Sequence, residues 1–546
     1  MSQYLPKYLI AYGASIFHKK SNINKTALSI EEMSLQELSS QGLSSQDYFR
    51  PRGDITTVLD VTDRDAQDNT YFPIDSDKSW FHYKNMIIHP TALSIQEFIQ
   101  RGPANWGQKC TFEIGALPAG DFFQSIHLQI NLGSWYNNSI IQKLAFSQIT
   151  ADPANMQQYW TYCNSLGVSI IEYADFIVND QTIERITGEF IGMHTSLFYN
   201  RNTNIGYQYD AFGAVPYSQL SPEVVSQTAF NPNRPYSVDN GIYFCALPFF
   251  FSRTKQEIFP LVSCNEGNVR VDIKLRPFEE VVRNYSGYRA FCEDTPLNKT
   301  VNFMTTATPS TSLTTTTTTQ PPDFLDFRII TGCSLVSGSL REKYLRKPFE
   351  QMVKLVQLFS FEEPLKYIVN KSTNDYIEVQ LPLELNHPVT ELIWVLRRKA
   401  AKINNEWTNF TPNISLESAP DKEYPPWINQ ATIRINGSEV ITAEGDWFKE
   451  HIARKHQGGL TSYNVGVYGY SFAEYPAEHQ PSGCANMSKA ASVTLNLRVN
   501  PPIVTPLPAD CNFDSTVVGG WEVFVFAMHY NWLRFENGLC NKLFSN

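Results

Sequence analysis

The sequence is short of the features that announce the commonest chemistries. Charged residues make up only 18% of the 546, no Lys/Arg-rich block occurs, and the formal net charge is −10. A surface built to grip a phosphate backbone is therefore not expected, and no direct nucleic-acid binding is assigned. No apolar run approaches the ~18 residues that a membrane-crossing helix needs. The longest compact stretches are Phe244 to Phe251, interrupted by Pro248, and Val523 to Met528. The opening residues, Tyr4, Pro6 and Lys7 before Tyr8 to Ile16, lack the basic, apolar and small-residue progression of a secretory leader, so no cleaved signal is expected. The nine cysteines (110, 163, 245, 264, 292, 333, 484, 511 and 540) include no CxxC pair. That excludes zinc-ribbon and thioredoxin-type spacing and points to reduced, mostly buried thiols. GxSxG, Walker A and GxGxxG motifs are also absent.

What is abundant is aromatic. Phe and Tyr number 35 and 27, and aromatics reach 13%, a composition suited to β-sheet cores and to extensive protein contacts. The informative local signal is strict apolar/polar alternation, because a strand buried on one face places every second side chain in the core. Ile126, Leu128, Ile130 and Leu132 alternate with His127, Gln129 and Asn131; Val269, Val271, Ile273 and Leu275 alternate with Arg270, Asp272 and Lys274. The second half repeats the pattern at Ile377, Val379, Leu381, Leu383 and Leu385, and again from Val493 to Val499. These read as half-wet antiparallel strands. Pro382 cannot donate to a ladder, which places its strand at an edge.

Helical patterns are few: Ala154 to Ser165, Arg341 to Phe359 with a break at Pro348, and Gly445 to His456 stopped by Gly458 and Gly459. At ~150 residues per domain the length allows two to four domains. Many short strands with long polar connections then predict all-β architecture with two sandwiches or barrels. Residues 1 to about 75 are Ser/Gln-rich with an amphipathic stretch near Leu28 to Leu38, and read as an extended arm. Tyr199 to Tyr236 keeps no period and reads as a loop excursion, while the Thr/Pro tract 305–322 buries too little apolar surface to offset the entropy of ordering.

Composition and periodicity stop at two sandwiches, and a resemblance takes over. The run Tyr470 to Ser488, YSFAEYPAEHQPSGCANMS, carries Tyr470, Ser471, Phe472, Ala473, His479, Gln480, Pro481, Ser482, Gly483, Asn486 and Ser488. It resembles a strand-and-loop segment of the major capsid proteins of nucleocytoplasmic large DNA viruses. Pro481 at the second position and Gly483 at the fourth also suit a type I turn. Three further segments agree in order: His387, Pro388, Glu391, Leu392 and Trp394; the closing Tyr530, Asn531, Leu533, Arg534, Gly538, Ser545 and Asn546; and, in the first half, Gly120, Asp121, Leu247, Pro248, Phe249, Phe251, Pro260 and Leu261. The resemblance covers roughly residues 76–546. Departures are the first 75 residues, which lack the family's glycine-rich opening and Arg-Arg-His segment, and Ser438 to Thr442, which replaces a His-Asp-Arg element.

The resemblance implies two consecutive eight-stranded jelly rolls with short helices in loops: an arm 1–75, a first jelly roll 76–345 holding the Thr-rich loop, and a second 346–546. It implies a non-enzymatic subunit without cofactor or metal, closing into a homotrimer of pseudo-hexagonal outline. The expected partners are neighbouring capsomers, minor capsid and penton proteins and an internal membrane-associated layer, in a virion assembled in the host cytoplasm. His387, Pro388, Trp394, Tyr470, Phe472, Gln480, Pro481, Ser482, Gly483, Asn531, Leu533 and Arg534 are the family-motif residues expected to be structural. Two alternatives remain: a secreted or surface β-sandwich protein that binds or hydrolyses glycans, and a double jelly-roll scaffold or minor capsid component.

Smaller motifs carry no role. Arg52-Gly53-Asp54 is a tripeptide that recurs by chance. Asp63, Asp65 and Asp68 are followed by no EF-hand glycine or glutamate at the required positions. Glu450, His451 and His456 miss the HExxH spacing. Nine Asn-x-Ser/Thr sequons, at 24, 137, 284, 298, 370, 409, 413, 436 and 486, are read as unmodified loop asparagines in a chain without a leader.

Overall fold

The computed structural model describes residues 90–114, 120–133, 160–163, 166–198, 241–284, 323–363, 376–403, 405–411, 427–456, 466–500 and 521–544. All lie within one compact unit, His89–Asn546. The arm, the tripeptide at 52–54, the Asp63 to Asp68 cluster, the 199–236 excursion, the Thr/Pro tract and the sequons at 24, 137, 298, 370 and 413 fall outside the described residues.

The first half builds β1 (Thr91–Ile99), β2 (Lys109–Ile114), β3 (Phe122–Leu132), β4 (Trp160–Tyr162), β5 (Ile171–Val178), β6 (Gln181–Thr187), β7 (Gly241–Ala246), β8 (Val269–Leu275), β9 (Val282–Asn284) and β10 (Phe324–Val336). Two antiparallel sheets result, ordered β1-β10-β3-β7 and β2-β8-β5-β6, with β4 and β9 as a separate ribbon. The second half supplies β11 (Phe349–Glu363), β12 (Ile377–Leu383), β13 (Pro388–Arg398), β14 (Ile428–Ile435), β15 (Ser438–Glu444), β16 (Val467–Ser471), β17 (Ala485–Asn486), β18 (Val493–Val499), β19 (Trp521–Glu536) and β20 (Leu539–Lys542). Its sheets run β11-β19-β13-β16, with β17 and β20 added to β13 and β19, and β12-β18-β14-β15. The same order, in which the last long strand returns beside the first, occurs in both halves. It is the double-Greek-key order of a jelly roll, formed twice.

The alternating strands behave as their pattern requires. On β3, Ile126, Leu128, Ile130 and Leu132 are buried and His127 is exposed; on β18 every second residue from Val493 to Val499 is buried. Asp272 is an exception, buried on the interior strand β8 and neutralised by Lys109 Nζ at 2.7 Å. Pro382 sits in β12, the outer strand of its sheet, where no second neighbour needs its missing N–H.

Three helices of nine or more residues are described: α1 (Gly188–Phe198), α2 (Gly338–Arg346) and α3 (Gly445–Lys455). The expected helix at Gly445 to His456 is α3. Two other expectations are corrected. Helix from Arg341 does not resume after Pro348; the chain enters β11, because proline pushes the residue before it out of helical backbone. Residues 160–162 of the expected helix Ala154 to Ser165 are strand β4, paired to β9. Among the described residues no helix is long and apolar enough to cross a membrane.

Candidate functional site: the seam between the sandwiches

The seam begins with a contrast in sequence. Whereas β3 alternates, β13 and β19 carry near-continuous apolar runs, ELIWVL and WEVFVFAM, and are buried on both faces. Val523, Val525 and Ala527 point into the second sandwich beside Trp394 and Trp427, whereas Phe524, Phe526 and Met528 join the first sandwich's core cluster. Phe526 meets Phe190 of α1 at 5.4 Å between ring centroids, and Phe259 meets Phe535 at 5.7 Å. The β11-β19-β13-β16 sheet therefore serves one sandwich as a wall and the other as a lid.

Charged side chains are buried here in pairs. Arg397 donates to Glu522 at 2.6 Å and to Glu189 at 3.1 Å, Arg276 reaches Glu189 at 3.1 Å, and Lys402 reaches Glu522 at 3.1 Å. The Arg276 guanidinium lies 3.6 Å from the Trp407 ring centroid. Burial pushes the Glu189 carboxyl up, but Arg276 and Arg397 outweigh it and hold the group at about 2. Glu522 is held low in the same way, burial being overcome by Arg397 and Lys402. These groups border a cavity of about 430 Å³ between the sandwiches. A second cluster lies further along the seam. Arg253 pairs with Glu184, Glu257 accepts from the Lys354 backbone N–H, and His456 Nε2 lies 2.7 Å from Glu391. Burial, aided by the charge of Arg253, keeps His194 well below its ordinary value, and burial holds His529 down at about 3.

The loop after β16 is fastened across this seam. Lys354 Nζ donates to the carbonyls of Pro476, at 2.8 Å, and Glu478, and His479 Nδ1 lies 3.1 Å from Glu257 Oε1 of the first sandwich. The turn expected at Gln480–Gly483 is corrected: Glu478 N–H bonds the Tyr475 carbonyl at 3.2 Å, so the tight turn surrounds Pro476. Gln480, Pro481 and Ser482 run back alongside the incoming strand, where Ser482 Oγ accepts the Tyr475 N–H at 2.8 Å. Gly483 is needed for another reason. Its φ is +145°, and a Cβ there would meet the Phe472 carbonyl oxygen at 2.8 Å.

The motif residues fall into two places. Tyr470 pairs with Leu392 on β13, Phe472 packs on Tyr470, and Trp394 is buried against Phe448 and Tyr468. His387, at φ 65°, starts this strand: its N–H bonds Ser488 Oγ at 2.8 Å, its ring stacks on His529, and Pro388 pairs with Asn486. Asn531, Leu533 and Arg534 stand at the far end of β19. Asn531 Nδ2 holds the Phe544 carbonyl at 2.9 Å, Leu533 is buried in the first sandwich's cluster, and Arg534 pairs at the surface with Glu536. The buried charges were missed by periodicity; the available signal was a charge inside an apolar run, as at Arg397, Arg398 and Glu522. Asn409 is wholly buried and donates to Glu406, which suits an unmodified asparagine. Among the described residues no group of three His, Cys, Asp or Glu could hold a metal ion.

Comparison with known proteins accounts for this arrangement. The family model described as large eukaryotic DNA virus major capsid protein matches residues 341–541, and that described as major capsid protein N-terminus matches 82–314. The major capsid protein of Pyramimonas orientalis virus is 28% identical over 243 residues, 41% of this chain and 53% of that one. That of Paramecium bursaria Chlorella virus 1 is 24% identical over 238 residues, 38% of this chain and 51% of its own. The chain thus spans about half the length of the curated relatives it matches. A chain of the PBCV-1 virus capsid superposes with TM-score 0.60 at 16% identity, covering 86% of this chain and all of the other. The Faustovirus major capsid protein gives 0.55 at 12%, covering 88% and 96%. The fold is accordingly the double jelly roll, and the chain belongs to the major capsid protein family of large eukaryotic DNA viruses.

Proposed function

We propose that this chain is the repeating, non-catalytic subunit of an icosahedral shell, closing with two further copies into a trimer whose six sandwiches outline a pseudo-hexagon. The observation that carries this reading is a sheet whose outer face, among the described residues, exposes large aliphatic side chains. In the second sandwich, the outer face of β11-β19-β13-β16 is covered by the first. In the first sandwich, the corresponding sheet β1-β10-β3-β7 turns Leu93, Ile95 and Ile99 outward at 78%, 73% and 75% exposure, with Ile330, Ile242 and Phe244 half-buried on the same face. Glu97, Arg328 and Asp326 pair on the same face, so it is mixed, but the exposed aliphatic cluster on its outer strand is of the kind that marks an interaction site. A neighbour's second sandwich could cover it as the intrachain seam covers its counterpart, and three repeats close the ring.

In this reading the first jelly roll takes residues 76–345 and the second 346–546, and 1–75 forms an arm. Neighbouring trimers, minor capsid and penton proteins and an internal membrane-associated layer are the proposed partners, in virions assembled in the host cytoplasm. Light scattering on the purified full-length chain tests the proposal. A trimer is expected, reduced to monomer by Leu93→Glu with Ile95→Glu at unchanged circular dichroism; a wild-type chain that stays monomeric at high concentration would overturn it. Copy number in purified virions separates a major shell subunit, which should be the dominant band, from a scaffold or minor component.

A further inference from the structure

The C-terminal hairpin β19–β20 is held against the first sandwich at several points. Glu266 N–H bonds the Gly538 carbonyl at 3.2 Å, Asn179 Nδ2 bonds the Cys540 carbonyl at 3.1 Å, and Lys542 N–H bonds Gln181 Oε1 at 3.2 Å. Cys264 ends the short turn Leu261–Cys264 directly before this contact, and Cys540 lies in β20. The two thiols belong to one apolar cluster, are 1% and 0% exposed, and are within hydrogen-bonding reach of each other. The backbones on both sides are fixed by bonds that do not involve sulfur.

We propose that Cys264 and Cys540 are a built-in redox staple: in an oxidising setting they form a disulfide that locks the end of the second sandwich onto the first. The inference concerns the subunit alone and does not depend on how copies assemble. The sulfurs must close to about 2.0 Å, which side-chain rotation supplies when the backbones are already adjacent. With oxidised glutathione as oxidant, one thiolate attacks its disulfide and expels one glutathione thiolate. The other cysteine thiolate then attacks the mixed disulfide and expels the second. Two protons and two electrons leave the pair, one S–S bond forms, and the glutathione disulfide is reduced to two thiols. The Cys540 neighbour and burial hold the Cys264 thiol well above its ordinary value, so thiolate is scarce and oxidation of the closed seam is slow. The bond would close a loop spanning the whole second sandwich, where the loss of unfolded-state entropy is greatest.

The test uses the full-length chain, purified reduced and exposed to excess oxidised glutathione in two arms: the native protein over days, and protein refolded from urea. Each sample is denatured, alkylated and mapped by non-reducing peptide mass spectrometry. Exposed Cys484 is the internal control for oxidant access. The expected result is a Cys264–Cys540 linked peptide pair in at least one arm and a rise in apparent melting temperature of about 5 °C, reversed by dithiothreitol. Cys540→Ser, checked for wild-type circular dichroism when reduced, should lose both. Full alkylation of Cys264 and Cys540 in both arms while Cys484 is glutathionylated, or linkage of either cysteine to a different partner, would overturn the proposal.

Discussion

The two sandwiches share one strand order yet treat their matching sheets oppositely. In the first, β3 and β10 follow the alternation of a sheet with a core face and an outer face. In the second, β13 and β19 are filled on both faces, because the outer face is the seam. The topology is therefore indifferent to what lies outside a sheet; side-chain chemistry on the second face decides whether the sandwich ends there or takes a neighbour. Periodicity can be read in that light: alternation marks a boundary, and its loss marks a sheet packed between two layers.

The comparison can be broken most severely at its buried charges. Arg397→Ala should leave Glu189 and Glu522 buried with only partial compensation and cost about 3–5 kcal/mol, read as a lower urea midpoint. Removing the aromatic that enters the seam, by Phe526→Ala, should cost about 3 kcal/mol through the cavity left beside Phe190, in the same measurement. Over pH 7 to 5, acid sharpens the contrast less strongly. His529 is neutral when folded down to about 3 and titrates near 6.5 when unfolded, so the unfolded chain takes up a proton first as pH falls. Stability should then drop by about 1.4 kcal/mol per pH unit below 6.5, levelling off below 3. Comparing urea midpoints of wild type and His529→Asn from pH 7 to pH 5 isolates this contribution. The smallest effect belongs to the exposed counterpart: Ile95→Ala should change the stability of the isolated subunit by less than about 0.5 kcal/mol. It should weaken trimer formation in dilution sizing all the same, and a large loss of monomer stability would mean that the face is already covered within the subunit.

Much of this was legible. The strands at 126–132, 269–275, 377–383 and 493–499 followed from alternation, and Pro382 placed β12 at an edge. The motif runs identified the family, and α3 followed from its stop signals. Misreadings arose where local pattern met tertiary demand. After Pro348 both faces of β11 are used, so its apolar spacing imitates a helix. The type I signature at Gln480–Gly483 was overridden because the reversal is taken earlier, at Pro476, and Ser482 is tied back to Glu474 and Tyr475. Asn436-Gly437 and Asn537-Gly538, both at positive φ, carry the signal for two-residue hairpins that alternation alone does not use.

What the sequence determined by itself was the period of two, the proline and glycine punctuation and the motif runs, because each depends on neighbours within a few residues. What only the tertiary structure decided was the partner of each charge inside an apolar run, since Arg397 and Glu522, or Lys354 and Pro476, are more than a hundred residues apart. It also decided that, among the described residues, one sheet is packed on both faces and its twin on one, because burial of an outer face depends on what folds against it.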